Sequence, residues 1–549
     1  MNWGSLRSLY GIRKVSDGLN TTFALLESTA NEAAVGALLP ILDSSHRVLR
    51  EGALKVILAR RTMTGHREVL RRLHTLDEPA SRIVANQRGL LSPAIRDALL
   101  SEEQPLRANA CYALVWFREY DLIPVLLKVL EDRDGPDADL AARTLVELID
   151  LLDEELSAPA MSEIRRDPQL VRQYVVSALE QSVERFVKHK RREVVEALVL
   201  LSGRDSASLL NILRSPYHPA FLVLIDILSK SRHTAVIGLL LSFLDDARAP
   251  SGILSVVSKR IDLPFVQALL RKVGRQPSAA VAANLKRMDS LAWLRSGGAV
   301  LDSLDDRAQH AAVRTVMASG TSRSDALAMV EYLLLHGKKG GRRAAAQALE
   351  DLHGAQANAL ALKALEDPDA QVQAHVVVQL RRRGIPGALP RLVEMIDSPH
   401  ALVRKAARQS LAEFNFARFL AAFDMLDEEV RRSTGMLVKK VDPETIPLLE
   451  AEMQSPVRTR RLRAIAVIRA IDAAAPLEAA LIRLTGDEES AVRAEAAQAL
   501  AVRPSRAGRE ALGELLTDPS PAVREAADKA LHGQCDFARW KAAVSNPIH

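Results

Sequence analysis

The phrase LTDPSPAVREAADKAL at residues 516–531 recurs one unit earlier as LTGDEESAVRAEAAQAL at 484–500, and this repetition constrains the fold more than any other feature of the chain. Further forms are MIDSPHALVRKAARQSL (395–411), LEDPDAQVQAHVVVQL (365–380), ILDSSHRVLREGALKVI (41–57) and LLSEEQPLRANACYAL (99–114). In four of these forms an aliphatic residue follows a Val or Leu slot by eight positions: Val523 to Leu531, Val492 to Leu500, Val403 to Leu411 and Leu106 to Leu114. The slots fall at 372, 403, 430, 462, 492 and 523, a period of about 31 residues.

A period of that length accommodates two helices: an A helix, a turn rich in Asp, Ser and Pro, and a B helix. The turn Asp or Ser accepts hydrogen bonds from the first N–H groups of the B helix, and Pro fits its first turn. Val523, Ala526, Ala527, Ala530 and Leu531 form one apolar stripe whose alanines let neighbouring helices approach closely. One helix pair cannot bury that stripe alone, whereas stacked pairs can. The expected fold is an all-α, α-α superhelical solenoid. Composition agrees, with 48% hydrophobic but only 4% aromatic residues.

DPSPAVREAADKAL and DPDAQVQAHVVVQL resemble the short HEAT-like repeats of the phycobilisome-lyase type. The resemblance is regular over 301–533, carries insertions over 31–150 and is degenerate over 151–300. Residues 1–30 are expected to form an N-terminal cap, because solenoid ends need one polar face. Residues 534–549 are expected to form a tail, DEELSAPAMSEIRRDP (153–168) a connection and GRQPS (274–278) a break.

The Arg after each slot recurs as Arg50, Arg107, Arg404, Arg463, Arg493 and Arg524, with an Asp six or seven residues earlier at 43, 397, 487 and 518. The resemblance implies a ladder linking successive repeats. The alternative is a row of arginines that binds an acidic partner.

No catalytic motif accompanies the repeats. None of the 13 His precedes a Glu, unlike the HEAT-repeat deoxyhypusine hydroxylases, whose metal ligands come from such dipeptides. HGKKGGRRAAAQAL (336–349) lacks phosphate-loop spacing, so no cofactor is expected. Bilin lyases or related chaperones share the repeat style, but Cys111 reads as a small core residue. HEAT-like DNA glycosylases combine basic surfaces with aromatic residues, which Trp116, Phe117 and Tyr120 imitate, although that spacing also describes core packing.

Charge is balanced overall at +6, from 74 basic and 68 acidic residues, so any electrostatic function is local. B-helix positions between about 340 and 470 are less balanced. Arg343, Arg404, Lys405, Arg408, Arg432 and Arg463 are the candidate partner-binding residues, with the basic turn Lys188, Lys190, Arg191 and Arg192 as a second contact point. The expected function is a non-enzymatic scaffold or adaptor that binds a protein with an acidic segment, a nucleic acid being the alternative partner. With two distant cysteines, no continuous apolar leader and no apolar run of membrane length, the protein is expected to be soluble and cytoplasmic.

Overall fold

The turn phrase and its following helix fold together in the computed structural model, which describes residues 17–544 except 88, 158–166, 275, 296–297 and 503. Among the described residues there are 34 α-helices and no strand. Successive helix pairs stack as an α-solenoid in each of two units, Met1–Ser303 with Arg314–Ser322, and Leu304–Val313 with Arg323–His549. Residues 1–16 of the expected cap, 158–166 of the expected connection, 275 of the expected break and 545–549 of the expected tail lie outside the described residues. The final helix runs Pro521–Val544, so the chain stays helical past 533.

In the last two repeats the turn Asp does something other than cap the B helix. Asp487 and Asp518 each precede their helix by three residues and accept the N–H two positions on, from Glu489 at 2.9 Å and Ser520 at 2.8 Å. This Asx turn sets the chain's entry into the helix and leaves most of the carboxylate for another partner. True side-chain caps occur where the Asp or Ser sits directly before the helix, as Asp77 for Glu78–Ala85, Asp262 for Leu263–Val273 and Ser505 for Arg506–Glu514.

In the second unit the B helices Lys339–Ala348, Ala370–Leu380, Ala401–Ser410, Glu428–Val441, Arg458–Ala470, Ser490–Leu500 and Pro521–Val544 form the inner row, since they pack on one another far more closely than the A helices do. The buried Ala496, Ala497, Ala526 and Ala527 allow this approach, and Val492, Leu500 and Val523 fill the space between. Each fully buried Leu or Val contributes roughly 1.5–3 kcal/mol relative to exposure. Gly340 marks another close approach: a Cβ there would lie 2.3 Å from the Asp306 carbonyl oxygen. The paired glycines of the 336–349 stretch thus serve packing.

One joint in the inner row differs. The Ala401–Ser410 and Glu428–Val441 helices, though consecutive in the row, do not pack closely, and the core cluster of residues 416–530 begins between them, with Val438 of the second helix inside it. Side-chain ties take the place of helix packing there. Lys440 reaches Asp397 at 2.5 Å across this joint, while Arg381, which pairs with Glu413 and lies 5.9 Å from the Phe414 ring centre, ties the preceding helix to the chain after 410.

The first unit keeps the helix-pair plan through the stretch whose repeats are degenerate in sequence, for example Ala207–Arg214 with Phe221–Lys230 and Thr234–Ser242 with Ser251–Lys259. No single helix among the described residues is long and apolar enough to cross a membrane. Phe221–Lys230 and Thr234–Asp245 reach that length only together and are bent by 112°.

Candidate functional site

Six arginines at one repeat position donate through Nη1 to the carbonyl six residues earlier, which ties each B helix to its own turn. They are Arg50 to Ser44 (2.8 Å), Arg107 to Ser101 (2.6 Å), Arg404 to Ser398 (2.8 Å), Arg461 to Ser455 (3.0 Å), Arg493 to Asp487 (2.8 Å) and Arg524 to Asp518 (2.6 Å). Gln373 does the same for its helix, donating Nε2 to Asp367 O at 2.8 Å.

The opposite edge of the guanidinium faces the next repeat. Arg493 binds Asp518 in bidentate fashion, Nε to Oδ2 at 2.8 Å and Nη2 to Oδ1 at 2.9 Å, and Arg461 donates Nη2 to Asp487 Oδ1 at 2.9 Å with its Nε in ion-pair contact 2.8 Å from Oδ2. Arg50 pairs with Asp77 at 2.6 Å, and Arg107 pairs with Asp137. The Arg493 hydrogen bond holds the Asp518 carboxyl below the usual carboxylate range. These arginines are internal struts.

The strut in the 458–470 helix is Arg461 and not Arg463. Arg463 instead donates to Leu420 O and lies 3.3 Å from Asp424. Matching Ser455-Pro456 with Ser398-Pro399, rather than Leu462 with Val403, places Arg461 in the column.

Arg343 is engaged as well, with Nε 2.7 Å and Nη2 3.2 Å from the Asp369 carboxylate. Burial pushes Asp369 up, but Arg343 and the Gln371 N–H outweigh it and hold its carboxyl low. Lys405, Arg408 and Arg432 are different. All three are exposed, and their side chains have no hydrogen bond or ion pair among the described residues. They lie on the two helices that flank the loose joint, Lys405 and Arg408 on one and Arg432 on the other. Cross-repeat pairing stops in the same place: Gln373 is uncharged, Arg404 has no carboxylate within 4 Å among the described residues, and Arg431 donates to Phe423 O (2.7 Å) and Asp424 O (3.1 Å).

The basic turn of the first unit divides in two. Arg191 reaches Asp139 at 3.2 Å and Arg192 reaches Asp226 at 2.5 Å, so this pair ties its helix to neighbours on both sides. Lys188 and Lys190 stay exposed, Lys190 in the left-handed region with φ 52°. A basic run at a helix N-terminus opposes the dipole, which Glu193 in the first turn offsets, and His189 accepts the Arg191 N–H on Nδ1 at 3.0 Å.

Other sequence candidates are packing residues. Phe117 and Tyr120 are buried, and Trp116 stacks on Phe117 with 4.9 Å between ring centres. Cys111 is a buried thiol, pushed up to about 11 by burial. No group of three or more His, Cys, Asp or Glu arranged for a metal occurs among the described residues.

Residues 328–412 and 474–536 match the model for HEAT repeats. No curated protein matches the chain. Among solved structures, an engineered protein from a structural genomics consortium aligns over 91% of this chain and 98% of its own, at 17% identity with a TM-score of 0.17. A chain from a structure titled for a conserved phosphorylation switch that controls the interaction between cadherin and beta-catenin aligns over 90% of this chain and 98% of its own, at 14% identity with a TM-score of 0.35. At those TM-scores no property of either protein passes to this chain.

Proposed function

Because the chain carries HEAT-like repeats, we propose that it is a non-enzymatic scaffold or adaptor whose inner helix row binds an acidic segment of a protein partner. Stacked helix pairs create an extended binding surface from many small units. The observation that carries the reading is local: at the loose joint the internal Arg–Asp pairing lapses, and Lys405, Arg408 and Arg432 point into solvent without a carboxylate.

Elsewhere in the row Arg343, Arg461 and Arg493 are consumed by aspartates of the next repeat. At the joint the cations have no such use, and an incoming Asp or Glu forms charge-assisted hydrogen bonds with them. Arg343, Arg461 and Arg493 belong to the framework on this reading, and Arg191 and Arg192 likewise, leaving Lys188 and Lys190 as the exposed part of the second contact point. A cytoplasmic setting is part of the proposal, supported by Cys111 being a buried thiol.

The test is affinity capture with wild type and with Lys405→Glu/Arg408→Glu/Arg432→Glu, the bound proteins being identified by mass spectrometry. Loss of a specific set from the variant is expected, and unchanged capture would sink the proposal. Titration with a single-stranded oligonucleotide at two salt concentrations covers the other partner class. Tight binding that collapses with salt would replace the protein partner by a nucleic acid, because neutralised phosphates release counterions.

A further inference from the structure

Every strut arginine has two working edges. Nη1 is spent on the turn six residues back, which fixes the plane of the guanidinium, and the opposite edge meets a carboxylate, through both Nε and Nη2 in Arg493 and through Nη2 in Arg50, Arg107 and Arg461. In Arg493 that edge is closed as a fork by Asp518, 25 residues further on, and in Arg461 it is met by Asp487, 26 residues further on, through Nη2. Arg404 is anchored in the same manner, Nη1 lying 2.8 Å from Ser398 O and 2.9 Å from Pro399 O. Its Nε and Nη2 have no hydrogen-bond partner among the described residues.

The chain does not close this fork itself. A spacing of 25 or 26 from Arg404 lands on Glu429 or Val430, both exposed, in the helix that does not pack closely on 401–410. Asp427 is occupied in capping the Val430 N–H at 2.9 Å, and neither Glu428 nor Glu429 lies within 4 Å of the Arg404 guanidinium. Arg524 also has an open fork, but its exposed neighbours Glu525 and Asp528 repel an acid. Beside Arg404 stand Lys405 and, one helical turn on, Arg408, with Leu402 half exposed on the same helix.

We infer that the open fork of Arg404 is the anchoring point of the acidic segment: one carboxylate of the partner takes the place that the next repeat's aspartate fills elsewhere, and further acids follow along Lys405 and Arg408. This rests on the protein-binding reading above and adds to it a specific residue and geometry. A preset planar fork favours a carboxylate held in bidentate fashion over a diffuse negative charge.

The chain supplies its own control, since Gln373 keeps the tie to its turn without any fork. Arg404→Gln should therefore leave the melting temperature unchanged. The probe is a fluorescein-labelled twelve-residue peptide in which Asp and Glu alternate with Gly and Leu, titrated by fluorescence polarisation against the full chain. Arg404→Gln should weaken binding about tenfold or more, the loss of one charge-assisted pair. Arg404→Lys, which keeps the charge but not the fork, should rescue only part of the affinity, and Arg524→Gln should change nothing.

Binding by Arg404→Gln within twofold of wild type overturns the inference. If Lys405→Glu/Arg408→Glu/Arg432→Glu still abolishes peptide binding in that case, the basic surface stands and only the fork is wrong. If wild type fails to bind the peptide, or no variant alters its binding, both readings fall.

Discussion

Arg493 and Asp518 face each other across a repeat boundary with two near-parallel hydrogen bonds of 2.8 and 2.9 Å, while Arg493 also holds the carbonyl of Asp487, itself the partner of Arg461. The run 461–487–493–518–524 is thus a continuous ladder of side chains that fastens three B helices together. Asp518 is largely buried, so Asp518→Ala leaves the Arg493 fork unpaired and should cost about 1–3 kcal/mol. Hydrogen exchange should quicken over 490–531 and stay unchanged in the first unit. Uniform quickening would argue against a local strut.

The same carboxylate gives a pH signature. Asp518 lies below its ordinary value when folded, so its contribution is complete above the unfolded value of about 3.9 and is lost as pH falls through the folded value. Exchange over 490–531 should accelerate as pH is taken below about 4, and Asp518→Asn should flatten that dependence.

His218 acts in a higher window. Its Nδ1 accepts the Ala220 N–H at 3.1 Å and burial holds the imidazole below its ordinary value. On acidification the unfolded chain binds the proton first, so the contribution is intact above about 6.5 and is lost as pH falls through the folded value. Opening of residues 216–224 should rise between about pH 7 and 5 in wild type, with a smaller slope in His218→Asn.

Arg461 and Arg463 separate the observed register from the one suggested by the sequence period. Removing Arg461 strands the Asp487 carboxylate, whose side chain is 7% exposed, and should cost about 3–5 kcal/mol, whereas Arg463→Ala should cost about 1 kcal/mol. Denaturant midpoints of the two variants decide it. The reverse order would restore Arg463 to the strut column.

Gly340 sets two effects against each other. Alanine in a helix interior gains about 1 kcal/mol over glycine, but at 340 its Cβ would sit 2.3 Å from the Asp306 carbonyl oxygen, a contact that requires backbone movement. Gly340→Ala should therefore destabilise. Gly513, with nothing within 4 Å, should gain about 0.5–1 kcal/mol on the same change.

The repeat phrases made the helix pairs, the inner stripe Val523–Ala527–Leu531 and the Asp518 column legible, because these recur in several units. Two things were hidden. Arg191 and Arg192 looked like an outward basic run, since their partners Asp139 and Asp226 lie 52 and 34 residues away where no phrase marks the register. The open fork of Arg404 has one sequence signal, a step of 27 residues from slot 403 to slot 430 where the period is about 31. A shortened repeat cannot carry its helix and its acid to the usual places, and that is where the ladder lapses.

Hydrogen exchange of the full chain with and without the acidic peptide places the contact directly. Amides of residues 401–441 should gain protection at a peptide concentration near the wild-type Kd, and Arg404→Gln should gain far less at the same concentration. Protection confined to other helices, or none anywhere, would contradict an acidic-segment site at the joint.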